Sequence, residues 1–123
     1  MIKKFEDLTV YQKAFDVVIG IYRATEKFPA EEKFGLTNQM RRSAVSIISN
    51  IAEGSMRLSS LEFRQFVGIA RGSVGELRSQ VSIARELGFV DSELAENISA
   101  KLDEVGKMLT VLVRSLKDKS LAL

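Results

Sequence analysis

Phe63, Phe66, Val67, Ala70, Val74, Leu77, Val81 and Ala84 recur every three or four residues, the period of one face of an α-helix. No proline interrupts them; the chain has only one, Pro29. Ser59-x-x-Glu62 ahead of the run is a capping-box pattern and Gly88 behind it is a stop, so the spacing predicts a helix over 59–87. At the rise of an α-helix this element is about 43 Å long. A rod of that length in a 123-residue chain buries its apolar stripe best against other long helices laid beside it.

Three further segments supply such helices. Val10, Ala14, Val17, Val18 and Ile21 mark the core face of a helix over 8–27, which Phe28-Pro29 ends. Tyr11, Phe15, Ile19 and Tyr22 form a second apolar row, expected to touch another neighbour. Residues 30–36 are a connector closed by Gly35. Met40, Ala44, Ile47, Ile48 and Ile51 face inward from a helix over 37–53, with Thr37 as its N-cap and Gly54 as a left-handed stop. Leu94, Ile98, Leu102, Val105, Leu109, Leu112 and Leu116 recur in a helix over 92–117, capped by Asp91 or Ser92. Short connections make neighbours antiparallel. The expected fold is all-α, an antiparallel up-down-up-down four-helix bundle forming a single domain over 1–123.

Composition removes most chemistry. The chain has no cysteine and no histidine. Disulfides, thiolate metal sites, cysteine nucleophiles, the commonest general base and the Glu-x-x-His pairs of di-iron bundles all go with them. No metal or cofactor is expected. The segment Met1–Asp7 turns acidic before any apolar run, unlike a secretory signal, and no window approaches 18 uncharged apolar residues. The expectation is a cytoplasmic protein without a membrane partner.

The charge is small overall, +2, but uneven. Residues 36–90 hold seven basic and four acidic side chains, and every basic one is arginine. Arg57, Arg64, Arg71, Arg78 and Arg85 stand seven apart, so on a helix they drift only about 20° per step and form one stripe. The last four have no Asp or Glu at i±3 or i±4, where a helix supplies its own ion-pair partners. Three readings fit: solvated surface charge, pairing with carboxylates across a helix or subunit boundary, and a track for nucleic-acid phosphates. The last two are compatible. With Arg41 and Arg42 added, these seven arginines are the candidate nucleic-acid-binding set. Tyrosine occurs only at Tyr11 and Tyr22 and tryptophan not at all, so contact would be mainly with phosphates rather than stacked bases.

Gly68, Gly72, Gly75, Ser79 and Ser82 form a small-residue row on the same long helix. Each glycine there costs roughly 0.5–1 kcal/mol against alanine, and close approach of another backbone is the usual compensation. Either a neighbouring subunit or the first or second helix of the same chain could supply it; the row is assigned to a subunit interface. Arg42, Asn50, Glu53 and Glu76 are read as a structural polar network tying the second helix to the third. A catalytic reading is weak. Ser43 has no histidine to activate it, its nearest lysine in sequence is Lys33, and nothing in the spacing singles out Glu53 and Glu76 as a carboxylate pair.

Gln39-Met40-Arg41-Arg42-Ser43-Ala44-Val45-Ser46-Ile47-Ile48-Ser49-Asn50-Ile51-Ala52-Glu53-Gly54 resembles the hallmark segment of the small proteins encoded by intervening sequences in 23S rRNA genes, also labelled S23-type ribosomal proteins. Phe5-Glu6-Asp7-Leu8 with Ala14, Phe28-Pro29 with Glu32, and Glu62-Phe63 through Ile69-Ala70-Arg71-Gly72-Ser73 with Glu76-Leu77 agree, so the likeness covers about residues 5–116. The resemblance implies an antiparallel four-helix bundle assembled as a homopentameric barrel. The chain is also similar to accessory proteins of diversity-generating retroelements, which share that barrel and bind nucleic acid and a reverse transcriptase. No catalytic residues come with the resemblance. The expected function is a non-enzymatic homo-oligomer that binds RNA or other nucleic acid through its arginines. The alternative is a scaffold that recruits a protein partner, such as a reverse transcriptase, while the arginines serve inter-helix or inter-subunit ion pairs.

Overall fold

The computed structural model describes residues 4–121, with side chains described through residue 117. Among them are four α-helices and no strand: α1 Thr9–Thr25, α2 Leu36–Ser55, α3 Ser60–Glu86 and α4 Ser92–Leu121, with short 3-10 turns at Phe5–Asp7 and Ala30–Glu32. α1 packs on α2 and α4, and α3 packs on the same two, more extensively; no diagonal pair meets. The molecule is an antiparallel up-down-up-down four-helix bundle. Its core takes Ile21 from α1, Met40, Ile47 and Ile51 from α2, Val67, Leu77 and Val81 from α3, and Leu102, Val105 and Leu109 from α4, each almost sealed from water.

Local chemistry sets the helix ends. At α3 the Ser59 hydroxyl accepts the Glu62 N–H at 3.1 Å. At its far end Gly88 has φ +78°, and the Phe89 N–H bonds back to the Ala84 carbonyl at 2.9 Å. That is the left-handed stop closed by a six-residue loop that glycine makes cheap. Asp91 caps α4, its Oδ1 accepting the Leu94 N–H at 2.7 Å. α1 ends at Thr25, short of the expected Lys27, in a turn closed by the Phe28 N–H on the Thr25 carbonyl.

α2 departs from expectation at both ends. Thr37 is not its N-cap: the helix begins at Leu36, whose N–H donates to Glu32 Oε1 at 3.1 Å, and Thr37 is buried in the first turn. Gly54 is not a left-handed stop, because α2 continues through it to Ser55. It is glycine for a tertiary reason. A Cβ there would lie 2.7 Å from Phe66 Cβ and 2.9 Å from Phe63 Cδ1, so α2 and α3 cross at this point with no room for a methyl group. The second apolar row of α1 is also less covered than expected. Tyr11 stacks edge-on to Phe5 at 5.1 Å, whereas Phe15 and Tyr22 stay exposed.

Candidate nucleic-acid interface

The arginine stripe runs along the groove between α3 and α4, and α4 supplies part of what α3 lacks. Arg78 Nη1 lies 2.9 Å from Asp103 Oδ1, and Arg85 Nη2 lies 3.9 Å from Glu96 Oε1. Arg57, on the turn before α3, meets Glu53 at 3.0 Å and Glu62 at 3.7 Å, and its guanidinium lies over the Phe66 ring at 4.7 Å. These pairs are all about half exposed, so each is worth about 0–1 kcal/mol. Arg64 and Arg71 make no ion pair or hydrogen bond among the described residues.

One antiparallel register explains the split. It sets Arg85 beside Glu96 and Arg78 beside Asp103. Carried a further heptad, it sets Arg71 beside Thr110; both line one groove of about 320 Å³ together with Lys107 and the Arg78–Asp103 pair. Another heptad brings Arg64 level with Lys117. The α4 positions facing the stripe are therefore acid, acid, threonine and lysine. Residues 63–75 of α3 and 105–117 of α4 contain no carboxylate, and together they carry Arg64, Arg71, Lys107, Arg114 and Lys117. Toward Arg85 the groove pairs its charges, and beyond Asp103 the two helices contribute cations only, as far as residue 117. Lys107, Arg114 and Lys117 were invisible to a reading of the arginine stripe alone.

The other predicted residues divide by surroundings. Arg41 is a structural clamp: Nε donates to Thr25 Oγ1 at 2.9 Å, Nη2 donates to the Tyr22 carbonyl at 3.3 Å, and the guanidinium lies 4.6 Å from the Tyr22 ring centre. Arg42 is exposed and unpaired among the described residues, on the α2 side of the bundle and away from the stripe. The polar network linking α2 to α3 consists of Ser43 Oγ donating to Glu76 Oε1 at 2.8 Å, Ser46 and Ser73 hydroxyls 2.8 Å apart, and Asn50 Nδ2 donating to the Ser46 carbonyl at 2.7 Å. Arg42 and Glu53 stand outside it: Glu53 serves Arg57 instead, and Ser73, missed in sequence, takes a place inside.

Gly68, Gly72, Gly75, Ser79 and Ser82 are all exposed, and a Cβ on any of the three glycines would meet nothing within 4 Å. Neither α1 nor α2 covers the row. Among the described residues no group of acids could hold a metal ion, and no helix is long and apolar enough to cross a membrane. Lys13 is raised above its ordinary value by its hydrogen bond to, and the charge of, Glu104, 2.7 Å away on α4.

Comparison with known proteins agrees with this architecture. The model of the 23S rRNA-intervening sequence protein family matches residues 6–111. The fold is similar to that of a protein of unknown function from the S23 ribosomal protein family of Bacteroides thetaiotaomicron, with a TM-score of 0.77 at 22% identity over 85% of this chain and 98% of that one. No curated protein matches the chain.

Proposed function

The chain belongs to the 23S rRNA-intervening sequence protein family, and from that premise we propose that it is a non-enzymatic, cytoplasmic homo-oligomer that binds RNA along its basic half-groove. The carboxylate-free facing of residues 63–75 and 105–117 carries this reading. Arg71 and Lys107 line the groove there, its one acid, Asp103, is engaged by Arg78, and phosphates are the chemistry that fits the cations left over. Arg78 and Arg85, spent on α4 acids, and Arg41, spent on α1, drop out of the binding set. Arg57 is likewise held by two glutamates. The open row from Gly68 to Ser82 supports the oligomer, because three helix glycines with no intramolecular neighbour suit a second copy. A pentamer is the assembly that the family resemblance implies.

Fluorescence anisotropy with a structured RNA tests this. For four or five phosphate contacts, affinity should fall about 100-fold between roughly 50 and 200 mM salt. The pair Arg64→Ala and Arg114→Ala should lower the salt slope by about 1.5, while Arg78→Ala and Arg85→Ala leave it nearly unchanged. Affinity indifferent to salt would overturn the reading. A protein scaffold is the second reading, favoured by Met56 and Leu58 on the α2–α3 turn, which are 70% and fully exposed. Absence of RNA binding in an intact oligomer would leave that reading standing.

A further inference from the structure

A second groove, of about 520 Å³, lies between α1 and α2, on the flank of the bundle opposite the arginine stripe. Tyr22 of α1 and Asn38, Arg41, Arg42, Val45 and Ser46 of α2 line it. It differs from the α3/α4 groove in having an aromatic wall and no carboxylate among its lining residues. Glu26, one turn beyond Tyr22, is exposed and stands outside the lining. A π surface beside positive charge is the combination that holds single-stranded nucleic acid, base on ring and phosphate on cation.

The two arginines play different parts. Arg41 is spent: its bonds to Thr25 Oγ1 and to the Tyr22 carbonyl hold its guanidinium 4.6 Å from the Tyr22 ring centre. That clamp orders the ring before anything binds, which lowers the entropy cost of stacking on it. Tyr22 nevertheless keeps 39% of its surface open. Arg42 and Asn38 are unspent: both are exposed, and neither side chain makes a hydrogen bond or ion pair among the described residues. They stand at i+4 and i on one face of α2, with Val45 a turn further along. Arg42 also borders the α2/α3 groove, but the Glu76 carboxylate there is bonded by Ser43 and is not within ion-pair distance of it. Ser46 is engaged by Ser73 and Asn50.

We propose that this groove takes one unpaired base of a single-stranded nucleic acid: the base stacks on the open part of Tyr22, its edge bonds to the Asn38 amide, and its phosphate pairs with Arg42. An amide presents a donor and an acceptor side by side, the pattern that a base edge answers. A free cation with no acid lining the groove selects an anionic ligand over an apolar one. This rests on nucleic acid as the ligand of the proposed function, and adds to a track that holds phosphates a place that holds a base. Of the two tyrosines in the chain, Tyr11 is packed on Phe5, so the stacking falls to Tyr22 alone.

Fluorescence anisotropy with two RNA octamers of equal charge, octauridylate and its abasic counterpart, separates stacking from phosphate contact. The wild-type chain should bind octauridylate about fivefold or more tightly than the abasic strand. Tyr22→Leu should erase that preference and Tyr22→Phe should keep it, while abasic binding stays unchanged in both. Asn38→Ala, at an exposed helical position that leaves the fold alone, should reduce the preference. Arg42→Ala should weaken both strands alike and lower the salt slope by about 0.7, one phosphate of a single strand. Circular dichroism melts and native mass spectrometry report the fold and assembly of each variant. Equal affinity of the wild-type chain for the two strands overturns the inference and leaves phosphate binding intact. So does a folded Tyr22→Leu chain that keeps the preference, or an Arg42→Ala chain with an unchanged slope. A Tyr22→Leu chain that loses its assembly instead of the preference puts another copy in the groove and likewise overturns it. If neither octamer nor a structured RNA binds, this site and the nucleic-acid reading fall together.

Discussion

The same substitution should have opposite signs at two glycines that look alike in sequence. At Gly54, an alanine methyl would sit 2.7 Å from Phe66 Cβ and 2.9 Å from Phe63 Cδ1, about 1 Å inside ordinary carbon contact. Phe66 Cβ is fixed to the α3 backbone, so no rotamer change clears it; α2 and α3 must move apart where Val67 and Ile51 are packed without access to water. Overpacking of this kind costs typically about 1–3 kcal/mol, against a helix-propensity gain of roughly 0.5–1 kcal/mol that is smallest near a helix end. The net for Gly54→Ala is a loss of about 1–2 kcal/mol. For 123 residues, unfolding entropy of about 2.1 cal/mol/K per residue makes that a fall in Tm of about 4–8 °C. At Gly72 the methyl meets nothing within 4 Å. There only the propensity gain remains, and Gly72→Ala should raise the Tm of the dissociated chain by about 2–4 °C. Thermal melts at several protein concentrations separate protomer stability from assembly, because only the latter moves with concentration. A Gly54→Ala chain as stable as wild type would mean that the α2–α3 crossing is not as close as described. A Gly72→Ala chain destabilised when fully dissociated would mean that its row is covered within the protomer.

Two further outcomes follow from the interior and from composition. Thr25→Val keeps the shape of a buried residue but strips the acceptor of Arg41 Nε, and urea denaturation should show a loss of about 1–3 kcal/mol, more than Arg41→Met, which removes the charged donor and leaves Thr25 Oγ1 still donating to the Ile21 carbonyl. With no histidine and no cysteine, no side chain has its ordinary pKa between about 6 and 8, so melts and RNA affinity should be flat across that range. At the alkaline end the Lys13–Glu104 clip is the group to watch. Raised above its ordinary 10.5, Lys13 contributes fully at neutral pH and loses its contribution as pH climbs through the raised value. A stability loss between pH 6 and 8 would contradict both statements.

The bundle was legible because its signals are local. Apolar spacing, the Ser59–Glu62 cap and the glycine at position 88 each act within a turn or two, and each sits where the helices of the structure require it. What escaped depends on how separate helices align. Gly54 resembles a stop, since glycine at a helix end usually is one; only the α3 phenylalanines reveal it as a clearance. Arg78 and Arg85 lack acids on their own helix, and the acids that meet them are contributed by α4 at a register no spacing rule gives. The α4 cations were hidden by averaging. Residues 91–123 hold five basic and six acidic side chains, yet five of the six acids, Asp91, Glu93, Glu96, Asp103 and Glu104, precede Lys107, Arg114 and Lys117, and only Asp118 follows them. A charge profile along α4 would have exposed the division that a regional total conceals.

That division gives each protomer a head and a tail. Copies related by rotation about an axis running along the bundle would gather Arg64, Arg114 and Lys117 at one rim, making an annulus with one sticky side. Copies packed antiparallel would place a sticky end at each extremity and could bridge two strands. The point group of the assembly therefore decides how many polyanions it can hold and from which direction they arrive.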